Sequence, residues 1–143
     1  MSSFWIEVIL GLLAAIVSIL VIRQIYPNKD HAFWRAGLVI AAVIYVGFSF
    51  FGESIQWILT ELGGVAVYLG FAILSKRYSL LFLALGWGLH VLWDVLLHAG
   101  GEPTFVPTWY PGVCLGFDVA IAGYVVWLKR MRGAGKAPQM GVS

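Results

Sequence analysis

Five apolar stretches, at 4–22, 33–51, 55–74, 78–97 and 112–128, occupy most of this 143-residue chain. Each is close to the ~20 residues a helix needs to cross a ~30 Å hydrocarbon core. Backbone inside such a core must satisfy its own hydrogen bonds, so the stretches predict helices. The basic residues then orient them. Arg23, Lys29 and Arg35 lie between the first and second stretches, Lys76 and Arg77 between the third and fourth, and Lys129, Arg130, Arg132 and Lys136 after the fifth. The turns at 52–54 and 99–111 hold no Lys or Arg. Basic residues favour the cytoplasmic side, so the alternation predicts an all-α polytopic membrane protein. It is a five-transmembrane-helix bundle with its N-terminus outside and its C-terminus cytoplasmic, in the style of a multi-pass protein of the bacterial inner membrane.

Composition agrees. The chain is 61% hydrophobic and 11% charged, where a soluble domain carries about a quarter charged residues. The length allows one domain, 1–132, followed by a Gly-rich tail, 133–143, expected to be disordered and cytoplasmic. Basic residues that flank spans act as topology signals, so nucleic acid is not an expected partner; the lipid bilayer is. The leading residues, 1–7, carry an acid, Glu7, and no base, no small-residue cleavage site follows, and the first stretch reads as a retained span. The turn at 26–30 contains Pro27 and Asn28, and His31 beyond it reads as a solvated loop residue. Trp5, Phe33, Trp34, Tyr78, Trp109, Tyr110 and Trp127 read as interfacial aromatics. Gly112 and Gly116 form a GxxxG pair, expected to pack against span four; an oligomer through the same pair is allowed but not required. The single Cys114 makes no internal disulfide.

The chemistry falls on spans three to five. At a ~1.5 Å rise per residue, Glu61 lies about 10 Å in from the outer end of its span. By the same rise Asp94 and His90 lie about 6 and 12 Å below His98, and Asp118 about 9 Å below Gly112. Three carboxylates and two imidazoles thus converge on the outer half of the membrane. An Asp in mid-span costs roughly 2.5–3.5 kcal/mol. Such a group must therefore face inward, paired, protonated or on a cation. His90, Asp94 and His98 follow one another at i, i+4 and i+8, a stripe that drifts by roughly 80° on an ideal helix. Asp94 with His98, or His90 with Asp94, can chelate one ion, completed by Glu61 and Asp118. A mixed His/carboxylate shell suits Zn, Fe or Mn. Cys114, four before Asp118, is a further candidate ligand.

The stretch GWGLHVLWDVLLH at 86–98, then VPTWYP at 106–111, Cys114 and Asp118, resembles an uncharacterised family of small bacterial integral membrane proteins. The resemblance covers mainly the last third of the chain. It implies that His90, Asp94, His98 and Asp118 belong together, and it implies no reaction. The seven-span intramembrane zinc hydrolases of the alkaline ceramidase and adiponectin receptor type are an analogy only, because this chain has too few His to match their three-His site.

Three functions are open on these residues. The first is a metal-dependent membrane hydrolase acting on a lipid or amphiphile, with His90, Asp94, His98 and Asp118 as candidate ligands of a divalent metal such as Zn. Glu61 and Asp94 are its candidate catalytic groups. The second is a proton- or cation-coupled transporter or channel subunit in which Glu61, Asp94 and Asp118 share protons. Its difficulty is that the inner halves of the spans read as almost wholly apolar. The third is a non-catalytic binding or assembly subunit.

Overall fold

The computed structural model describes residues 3–27, 29–52, 54–98 and 105–134, and its regular structure among them is entirely helical. Helix α1 spans Ser3–Ile25, α2 Asp30–Ser49, α3 Ile55–Arg77, α4 Leu81–Trp93 and α5 Tyr110–Ala134. A π turn, Asp94–His98, continues α4 without a break. With that turn included, all five helices are long and apolar enough to cross a membrane. The chain is therefore built as a multi-pass membrane protein. Helix α5 runs on to Ala134, so the expected boundary at 132 falls inside its last turn; the expected tail beyond 134 lies outside the described residues, as do Glu53 and 99–104 of the proline-rich loop.

Helix α1 packs along α5, α5 along α4, α4 along α3, and α3 along α2. The centre is closed by large side chains from three helices: Trp34 and Leu38 of α2, Leu83 and Trp87 of α4, and Ile121 and Val125 of α5. Trp34 is therefore not interfacial. It is 1% exposed, against Phe117 and Tyr124. Helix α1 is apolar all round and turns most of its surface outward, with Leu10, Val17 and Leu20 more than half exposed. Such a surface suits lipid rather than water.

The GxxxG pair packs against α1, not against span four. A Cβ on Gly116 would meet the Val8 carbonyl oxygen and lie 2.9 Å from the Leu12 nitrogen, and one on Gly112 would lie 2.9 Å from the Glu7 Cβ. Gly11 answers from the other side, over the Val113 carbonyl. Small residues on both helices let the backbones touch, which is how apolar helices associate without a hydrophobic drive between them. Across α4 and α5, Trp87 meets Phe117 and His90 meets Asp118.

One end of the bundle gathers the basic residues. Arg35 Nε donates to Ser75 Oγ at 2.8 Å and its Nη2 to the Ser75 carbonyl at 3.2 Å, tying α2 to α3. Asp30, 4% exposed, accepts the Tyr124 hydroxyl and so ties α2 to α5. His31 is no solvated loop residue. It sits in the first turn of α2, half-buried, with Nδ1 3.0 Å from Arg132 Nη2. This end is thus more polar than its sequence reads, but the polarity stops at Tyr124, above the apolar centre.

Candidate functional site

At the opposite end, α2, α3, α4 with its π turn, and α5 each send polar or aromatic side chains into one enclosed cluster. His90, Asp94, Asp118, Glu61 and His98 are all at most 4% exposed. Five ionisable side chains buried this deeply hold together only by pairing, by shared protons or by a cation.

The cluster has two parts. In the first, His90 Nδ1 lies 2.7 Å from Asp118 Oδ2 and 3.4 Å from Asp94 Oδ2. One ligand atom from each of His90, Asp94 and Asp118 falls within 4.8 Å of the others, and no other group of three or more among the described residues converges in this way. In the second, His98 Nε2 lies 3.1 Å from Glu61 Oε1, and the Trp93 indole donates to Glu61 Oε2 at 3.0 Å. The His98–Glu61 approach is an ion-pair distance without hydrogen-bond alignment, since both atoms lack a bonded partner. Tyr45 joins the two parts: its ring stacks on His98 at 4.4 Å and 17° and lies 5.8 Å from His90.

Two local features make this arrangement. The π turn takes more residues per turn than an α-helix, so each residue from Asp94 to His98 advances by less than ~100°. That removes part of the drift of the His90–Asp94–His98 stripe and keeps both His side chains in the bundle. Gly64 opens the face of α3 to Trp93: a Cβ there would lie 2.9 Å from the indole Cζ2. With the ring seated on Gly64, its N–H reaches Glu61.

The sequence-derived candidates are therefore brought together, and of the two pairings the spacing allowed it is His90 with Asp94 that shares a point with Asp118. His98 lies with Glu61. Cys114 is buried on the same helix but stands outside the converging three. Tyr45, Tyr68 and Trp57 pack on the imidazoles: Tyr68 lies 4.9 Å from His90 edge-on, and Trp57 5.9 Å from His98. Sequence reading missed them because an aromatic residue inside an apolar run carries no mark of polar contact. Trp93 is also a donor to the site.

Asp94 imposes the chemistry. It is fully buried, with His90 Nδ1 3.4 Å from its Oδ2 as the nearest group of opposite charge. A bare carboxylate in such a position costs several kcal/mol, so Asp94 must carry a proton or touch a cation. Formal charges frame the choice. Glu61, Asp94 and Asp118 supply three negative charges and the two imidazoles at most two positive ones. Neutrality requires either one further proton or, with His90 uncharged, one divalent ion.

Fold and site together define a multi-pass helical membrane protein with an enclosed His/carboxylate cluster between four of its spans. The chain belongs to a family of unknown function (DUF6010), whose model matches residues 6–131 and so reaches from α1 to α5, well beyond the last third on which the sequence resemblance rested. No curated protein and no solved structure matches it.

Proposed function

We propose that this is a membrane-embedded, metal-dependent enzyme of hydrolase type, with one divalent cation held by His90, Asp94 and Asp118. The convergence of these three ligand atoms within 4.8 Å, fully buried, carries the reading. One imidazole and two carboxylates suit Zn, Mn or Fe, and three protein ligands leave a position for a water whose proton the metal makes easy to remove. Glu61 is then the base, positioned by the Trp93 N–H and balanced by His98.

A lipid or amphiphile is the substrate class. An apolar groove of about 330 Å³ opens on the membrane face of α3 and α4, with Tyr68 and Trp93 in its wall. Those two side chains touch His90 and Glu61 on their other side, so they stand between a membrane-filled groove and the cluster. The charge alternation orients the site toward the outer face of the cytoplasmic membrane.

The test is hydrolysis by protein reconstituted with each metal and offered mixed lipids. Headgroup or acyl release that a chelator abolishes and Glu61→Gln lacks is expected; metal-loaded protein that turns over no amphiphile contradicts the reading.

One observation favours a second reading. The 2.7 Å between His90 Nδ1 and Asp118 Oδ2 is a hydrogen-bond length, whereas two atoms on one tetrahedral ion at 2.0–2.2 Å would stand about 3.3 Å apart. A proton-sharing cluster fits that spacing as found, and metal binding would displace the proton and open the pair. For transport the apolar centre around Leu38, Leu83 and Ile121 is an obstacle, because it separates the cluster from the basic end.

A further inference from the structure

The basic end of the bundle carries a cavity of its own, of about 190 Å³, lined by Arg23, Pro27, Asp30, Leu128 and Arg132. Among its lining side chains two guanidiniums face one carboxylate. The carboxylate is turned inward: Asp30 accepts the Tyr124 hydroxyl and, at 3.0 Å, the His31 backbone N–H. Arg132 crosses the rim, with Nη2 3.0 Å from His31 Nδ1 and 3.6 Å from Asp30 Oδ1. A guanidinium only donates, so His31 accepts here and adds no charge of its own. On the other wall Arg23 is exposed, its guanidinium carbon 5.1 Å from the centre of the Trp127 ring. The contact is a cation–π approach by an exposed side chain, which stays open to a ligand. Arg35 is not equivalent, because its Nε and Nη2 are committed to Ser75.

Below the cavity the surface is apolar. Leu20, one turn before Arg23, is 57% exposed, and Trp127 is 41% exposed. An anionic group gripped at the helix ends, with a hydrocarbon chain running away along α1 and α5, matches this layout. Arg recognises phosphate oxygens in pairs, and basic pockets between spans on the cytoplasmic side take acidic headgroups. We propose that this cavity binds the headgroup phosphate of an acidic phospholipid through Arg23 and Arg132, with the acyl chains lying past Leu20 and Trp127. The inference is independent of the cluster at the other end.

Native mass spectrometry of detergent-purified protein tests it, with dioleoyl phosphatidylglycerol, dioleoyl phosphatidylcholine or inorganic phosphate added. The wild type is expected to retain one phosphatidylglycerol per chain and no phosphatidylcholine. Arg23→Gln is expected to lower that retention about fivefold or more, and Lys129→Gln, a basic residue at the same end outside the cavity, to leave it unchanged. Arg132→Gln should act like Arg23→Gln, but it also removes contacts to Asp30 and His31, so Arg23→Gln decides. Equal retention of phosphatidylcholine, an equal loss in Lys129→Gln, or uptake of inorganic phosphate in place of the lipid would each overturn the proposal.

Discussion

Asp94 is the residue on which the site turns, because a fully buried carboxylate beside Asp118 and 3.4 Å from His90 needs a proton or a cation to meet its charge. Asp94→Asn is expected to fold and to lower metal affinity by 10–100-fold or more, read by competition with a metal indicator. Glu61 is held differently, by the Trp93 N–H. A double-mutant cycle of Trp93→Phe and Glu61→Gln should give a coupling of about 1–3 kcal/mol in detergent unfolding; additive effects would mean that the bond does not support Glu61. At this scale the sequence was informative for charged residues and blind to aromatic ones. His90, Asp94, His98 and Asp118 stand out because ionisable groups are costly in a span. Tyr45, stacked on His98, stands among Val, Ile and Phe with nothing to distinguish it. Trp34 shows the converse: its place near a span end suggested the interface, yet it fills the core.

Between elements, spans were easier to read than neighbours. The five helices follow from length and hydropathy, but α1 is apolar on every side, so no stripe says that it lies on α5. Glycine spacing indicated a close contact but pointed to span four, whereas the partner is α1. Gly116→Ala is expected to cost about 1–3 kcal/mol, because its Cβ would meet backbone of α1 that cannot rotate away. Gly123→Ala, with nothing within 4 Å of its Cβ, should be neutral or stabilising by up to about 1 kcal/mol. Thermal unfolding in detergent separates the two, and equal shifts would argue against the α1–α5 seam. The π turn at Asp94–His98 is a second feature that periodicity could not supply. An ideal helix makes Asp94 with His98 as good a chelating pair as His90 with Asp94. The wider turn, with Asp118 arriving from α5, draws the three converging ligands from His90, Asp94 and Asp118.

For the whole molecule, the distribution of charge gives two unlike ends: Arg23, Arg35 and Arg132 gather at one, the His/carboxylate cluster lies toward the other, and a core of Trp, Leu, Ile and Val separates them. Lys and Arg are few and fall only between alternate spans and after the last, which is what the proposed sidedness rests on. A cysteine at Thr108 should react with an impermeant maleimide added outside intact cells, and one at Lys129 only after the membrane is opened; the reverse pattern would invert the proposed orientation. Native Cys114 is buried and should stay silent in both. The central claim, a single cation site made by His90, Asp94 and Asp118, is tested most directly by metal content. Elemental mass spectrometry of purified wild type, His90→Ala, Asp118→Ala and His98→Ala, each reconstituted with Zn, Mn and Fe, is the measurement. About one equivalent in the wild type and in His98→Ala, lost in His90→Ala and Asp118→Ala, is the predicted result. Wild type that holds none of the three metals, or a metal that leaves with His98 and stays without His90, would contradict it.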